Sequence, residues 1–273
     1  MTVPSIRRPA VAGYYYPENP DELRRQVDGF LQAVDASPAP AQAVVVPHGS
    51  VRHAGRIVGA ALAQVAMPRR CIIMGPSHTG HWLPWSLMAQ GAYRTPLGEV
   101  PIDEACAAAL HTRCSFLTQD SSAQMGEHAI EVLLPFLQRR ARAELAIVPL
   151  IASSEDVEEC HRVAEALAQV VRMQEEPVLL LASTDLSHYE PLERAAVQDH
   201  SLIEAIQALE TNRLLGLVRD QGIRMCGVGA AICVLEAAKI LGADRGTLVA
   251  YGTSADAGGD PHSVIGYAGI IVK

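Results

Sequence analysis

The chain lacks any pair of cysteines at the two-residue spacing of a zinc ribbon or a redox motif, since Cys71, Cys106, Cys114, Cys160, Cys226 and Cys233 are scattered over 273 residues. That excludes a disulfide framework and a structural zinc site, and leaves reduced thiols. Also missing is the basic patch that a phosphate backbone requires. Lysine and arginine are dispersed and the formal charge is −8, so nucleic acid is excluded as a partner. No uncharged apolar run approaches the roughly 18 residues of a membrane span. The first twenty residues, with Arg7 and Arg8, hold no apolar stretch of signal-peptide length, and a soluble, cytoplasmic protein is expected. Repeats, low-complexity segments and linkers are absent. Residues 1–273 therefore read as one domain, with DASPAPAQ at 35–42 only a loop between the first helix and the first strand. Familiar catalytic patterns fail as well. There is no phosphate loop and no HExxH. CGVGAAI carries Ile232 where a dinucleotide fingerprint needs glycine or alanine, and GPSHT puts Thr79 where a nucleophile elbow needs glycine.

What is present is apolar material in short blocks. Hydrophobic residues make up 49% of the chain, enough for a large core. The runs AVVV (43–46), CIIMG (71–75), LAIVPLI (145–151) and PVLLLAS (177–183) have the length and composition of buried strands. Between them, apolar residues at three- and four-residue spacing predict helices near 55–66, 103–112, 126–140, 155–173, 191–210 and 226–241. This alternation implies an α/β fold with a mostly parallel central sheet flanked by helices. The segment 85–103 breaks the rhythm with turn residues and reads as an antiparallel hairpin or meander, and the chain ends in two further strands around a Gly-Asp-Pro loop.

In a parallel sheet, ligands bind beyond the carboxyl ends of the strands. Three of the ten histidines stand there: His48 after 43–46, His78 after 71–75, and His188 in TDLSH after 177–183. If the strands are neighbours, their imidazoles converge in one crevice, as a transition metal requires. Asp185 and Cys226 offer an anionic ligand or an acid–base partner. Cys226, near the start of a helix, has its thiolate favoured by the dipole, or else is a buried structural thiol together with Cys233. Glu127, His128 and Glu131 either complement a helix dipole or form a second shell that orients metal-bound histidines.

Taken in order, VAGYYYP, VPHGSVRHAG, GPSH, TPLGEVPID, EHAIEVLLPFLQ, STDLSHY, CG and VIGYAGI span nearly the whole chain, which resembles the Memo family. Bacterial and archaeal members are also called AmmeMemoRadiSam system protein B. The resemblance implies a LigB-like fold, similar to that of the class III extradiol non-haem iron dioxygenases, with a metal-binding cleft. By motif match it puts site residues at His48, His78, Asp185, His188 and Cys226. It also implies a functional link to a radical-SAM protein and an AMMECR-type protein. The family's continuation after the first histidine is Ala-Gly-Tyr-x-Tyr-Ser-Gly, whereas this chain has Val51 and His53 at the aromatic positions. Cys226 also stands where the dioxygenases use a carboxylate, which shifts the preference toward copper or zinc, or toward iron in another redox role. Two functions are expected from this. One is a metal-dependent oxidoreductase in which His48, His78 and Cys226 hold iron or copper, or zinc, and His188, oriented by Asp185, moves protons on a small substrate. The other is a binding protein that captures a metal or a peptide side chain without turnover.

Overall fold

The computed structural model describes residues 6–33, 37–80 and 83–273, so part of the expected 35–42 loop lies outside the described residues. Strand β1 (Ile6–Arg7) precedes α1 (Pro20–Gln32), which starts where the Asn19 side chain accepts from the N–H groups of Asp21 and Glu22. The expected alternation follows with β2 (Ala43–Val46), α2 (Val51–Ala63) and β3 (Arg70–Pro76). Residues 85–103 form β4 (Trp85–Leu87), which joins the main sheet, and an antiparallel hairpin of β5 (Ala92–Thr95) and β6 (Gly98–Pro101), so the hairpin rather than a meander is found. After α3 (Glu104–Arg113), β7 (Thr118–Gln119), α4 (Ser122–Met125) and α5 (Leu134–Arg140) come β8 (Ala146–Ala152), α6 (Val157–Arg172) and β9 (Val178–Ser183). The remainder is β10 (His188–Glu190), α7 (Leu192–Gln207), α8 (Thr211–Arg219), α9 (Val228–Ile240), β11 (Gly246–Thr253) and β12 (Val264–Val272).

Among the described residues the main sheet has nine strands in the order β10-β12-β2-β9-β3-β8-β4-β7, with β11 on β12. Its centre, β2, β9, β3 and β8, is parallel, and antiparallel strands extend it on both sides. These central strands are continuous apolar runs because both faces are covered. Helix α2, with α1 and α5 behind it, packs on β2, β11 and β12, while α9, backed by α6 and α8, packs on β2, β3, β8 and β9. The register sets Val46 beside Ser183 and Met74 beside Ala182, so the carboxyl ends of β2, β9 and β3 finish side by side. A separate small sheet, β1-β5-β6, packs on this core through Tyr93 and Val100.

Three helical expectations need correction. The helix expected at 55–66 starts after the Ser50 N-cap and spans Val51–Ala63. The span 126–140 is helical only from a 3-10 turn at Glu131–Leu133 onward, into α5. The Glu127 carboxylate accepts from the N–H groups of His128 and Ala129. This local bonding competes with the helical ladder and keeps 126–130 a loop of bends and turns. The span 191–210 ends at Gln207, because Leu209 adopts φ 54° and turns the chain into α8.

A buried ion pair fixes the amino-terminal segment against that loop. Arg7 and Glu131 are both fully buried and bonded to each other. Glu131 also accepts from the N–H groups of Ala10 and Val11 and from the Tyr16 hydroxyl, and Arg7 donates to the carbonyls of Gln124 and Glu127. Breaking such a pair leaves an uncompensated charge in the interior. Arg7→Met is expected to lower stability by about 3–5 kcal/mol, measured by urea denaturation.

Candidate metal centre

The turns after β2 and β9 are tied together by one carboxylate, since Asp185 Oδ1 accepts from the N–H groups of His48 (2.8 Å) and Gly49 (3.2 Å). Burial raises the pKa of Asp185, and these backbone bonds oppose the rise. The His48 ring is fully enclosed, with Nδ1 2.9 Å from Ser183 Oγ. That hydroxyl donates its proton to the Ala129 carbonyl at 2.6 Å, so it accepts from His48, whose Nδ1 carries the hydrogen. The lone pair of His48 is thereby assigned to Nε2, 3.3 Å from Cys226 Sγ. Burial first, then the charge of His78, pushes the pKa of His48 down to about 3.

His78, just past β3, is held through both its backbone N–H and its Nδ1 by the Glu127 carboxylate, the ring contact being 2.9 Å. Burial opposes ionisation of Glu127, but the bonds from His78 outweigh it and hold the carboxylate down to about 2. For His78, burial disfavours the cation, yet the Glu127 bond and charge, with Asp185 beyond, raise its pKa on balance. With Nδ1 committed, Nε2 is the nitrogen left to a ligand. His128 packs beside both, its ring centroid 4.5 Å from that of His78 and 5.5 Å from that of His48, and burial followed by His48 lowers its pKa to about 4.

Cys226 precedes the Gly227 N-cap of α9, and its sulfur accepts from the Asp185 N–H at 3.3 Å. The expected thiolate is not favoured here. Burial, then the charge of Asp185, pushes the Cys226 thiol well above its ordinary value, because the helix terminus does not offset the loss of solvent. Cys233 lies apart as a fully buried thiol on α9.

Donor atoms of His48, His78 and Cys226 lie within 4.8 Å of one another, and those of His78, Glu127 and His128 form a second such group. Ligands sharing one ion through bonds of about 2.0–2.3 Å sit about 3–4 Å apart, so the first set fits a transition metal with small side-chain adjustments. Its two imidazole nitrogens and one sulfur suit copper, zinc or iron. Glu127 has its oxygens committed to hydrogen bonds, which suits orienting His78 better than ligating.

His188 also faces the cleft, but not through Asp185. Its Nδ1 lies 2.8 Å from the Leu186 carbonyl and 3.2 Å from that of Arg224, so these carbonyls orient the ring, and Asp185 serves the turn after β2 instead. His53 engages Ser50 Oγ at 2.7 Å within the first turn of α2, and Val51 is buried. Two residues that sequence reasoning missed complete the site. Ser183 is the polar residue closing the apolar run of β9 directly beneath a strand-end histidine, which was its one signal. Tyr15, from the YYY run, sets its ring centroid 4.6 Å from that of His128.

The family described as Memo-like protein matches residues 7–271. A MEMO1 family protein of Methanopyrus kandleri is 36% identical over 98% of this chain and 99% of its own. One of Aquifex aeolicus is 35% identical over 97% of this chain and 98% of its own, and one of Methanocaldococcus jannaschii is 34% identical over 98% and 99%. Among solved structures, an uncharacterized protein of Escherichia coli K12 superposes with a TM-score of 0.55 at 16% identity, covering 85% of this chain and 99% of that one, a likeness of fold alone.

Metal binding must displace the Cys226 proton, so affinity should rise about tenfold per pH unit above neutrality. It should fall more steeply below the pKa of His78, which the Glu127 bond and charge raise above the ordinary histidine value, because a second proton competes there. Calorimetry with Zn(II) in buffers of different ionisation enthalpy counts these protons. The same raised thiol predicts slow iodoacetamide modification of Cys226 in metal-free protein at pH 7, read by peptide mass mapping.

Proposed function

The chain belongs to the Memo-like family, and from that premise we propose that its cleft is the centre of a metal-dependent oxidoreductase, with His48, His78 and Cys226 holding iron or copper. The observation that carries this reading is the set of two imidazole nitrogens and one sulfur within 4.8 Å of one another. When bound, either metal supplies a one-electron couple and a Lewis-acidic position for a small substrate.

The remaining roles belong to side chains. Ser183 fixes the His48 tautomer that offers Nε2, and Glu127 does the same for His78. Asp185 holds the backbone of His48 and Gly49, which sets the height of the His48 ring. His188, with its Nδ1 hydrogen spent on two carbonyls, has Nε2 free to take a proton from a substrate hydroxyl and return it. Tyr189, beside it, is 65% exposed and held at φ 60°, a conformation that costs energy for a bulky residue. That exposed ring favours a second reading, in which the mouth of the cleft takes a peptide side chain without turnover.

Anaerobic loading with Fe(II) or Cu(I), followed by oxygen-uptake measurements with a panel of catechols and other small phenols, separates the two. Substrate-dependent uptake is expected. It should be abolished in His48→Ala and reduced about 10²–10⁴-fold in kcat in His188→Gln, with metal content unchanged in the latter. Stoichiometric metal without uptake on any substrate would leave the binding role.

A further inference from the structure

The amino ends of β2, β3 and β9 open onto a second recess, separated from the metal cleft by the length of those strands. Its volume is about 520 Å³, within the range of small-molecule pockets. Pro38, Pro40, Met67, Pro68, Pro177 and Val178 form apolar walls. Proline fixes its own backbone torsion, so four of these six wall residues hold their shape without a ligand.

The rim is cationic in a protein whose formal charge is −8. Among the described residues, Arg69, Arg140 and Arg142 border the recess against a single acid, Glu176. Arg69 meets Glu176 only at 3.8 Å. The Arg140 guanidinium donates to the carbonyls of Leu62, Ala63 and Val65 at 3.0, 3.2 and 2.9 Å, where the end of α2 turns its negative pole outward. Among the described residues no carboxylate pairs with Arg140 or Arg142. Burial and the like charge of Arg142 both weigh against the Arg140 cation. Two guanidinium groups beside an apolar hollow, one anchored and one free, thus lack an anion.

We propose that this recess binds a small amphipathic carboxylate, an acyl or aryl acid whose apolar body lies on the proline walls and whose head group meets Arg142, with Arg140 alongside. Guanidinium matches a carboxylate in shape and charge, and a charge-assisted bond of this kind distinguishes the acid from its alcohol. The recess abuts the strands whose far ends carry His48, His78 and Asp185, yet it shares no residue with them.

The test uses the full chain with 8-anilinonaphthalene-1-sulfonate as fluorescent probe and decanoate as competitor. One saturable probe site is expected, with decanoate displacing the probe and decanol competing about tenfold or more less well. Arg142 is exposed, so Arg142→Glu should keep the melting temperature and weaken decanoate about tenfold or more. Ala41→Trp should fill the recess and abolish probe binding, and His48→Ala should change neither ligand. Equal competition by decanol, or an unchanged decanoate affinity in Arg142→Glu, overturns the proposal. So does loss of binding in His48→Ala, which would move the ligand to the metal cleft. A dimer that Ala41→Trp converts to monomer would give the recess to a second copy of the chain and overturn it too.

Discussion

Inside the cleft the Glu127 carboxylate accepts from the backbone and ring of His78 and from the N–H groups of His128 and Ala129. A buried anion survives only when so many donors face it, and each donor is in turn fixed by it. The end of β3, the loop 126–130 and the His78 ring are therefore one unit. The Arg7–Glu131 pair stands directly behind this unit and stops the loop from relaxing into the helix its sequence resembles. On the other side Asp185 does for His48 what Glu127 does for His78, although its bonds go to backbone rather than to the ring.

The positions of His48 and His78 were legible because short apolar runs end in them, and a parallel sheet gathers its carboxyl ends. The ring centroids, 5.0 Å apart, follow from β2 and β3 both pairing with β9. The state of Cys226 was not legible in the same way. Its place near a helix start could be read from the chain, but its protonation depends on packing by Thr184 and Asp185, some forty residues away in sequence. The orientation of His188 escaped for a similar reason. Asp185 is three residues away and looks like its partner, yet the carbonyls that bind the ring belong to Leu186 and Arg224. The loop at 126–130 was misread because apolar periodicity says nothing about where a carboxylate finds its donors.

The departures from the family pattern after His48 also acquire a physical account. A side chain at Gly49 would bring its Cβ within 2.9 Å of the Tyr267 ring, so glycine here accommodates that aromatic beside the cleft. Val51 enters the core and His53 serves the start of α2. The aromatic surface lost from that turn is matched by Tyr15, whose carbonyl accepts the Val51 N–H at 2.8 Å and whose ring lies against His128.

The bond from Ser183 to the Ala129 carbonyl gives the hydrogens around His48 a fixed polarity. Every proton in that short chain points inward, away from solvent, and it ends at a main-chain oxygen with nothing to pass on. His48 is thus the blind end of the cleft for proton traffic: its ring cannot exchange tautomers until Ser183 turns away from Ala129. Protons that enter or leave must cross the outer edge, where His78 and His188 meet water, so the buried side can bind and hold while the exposed side alone keeps contact with the pH of the medium.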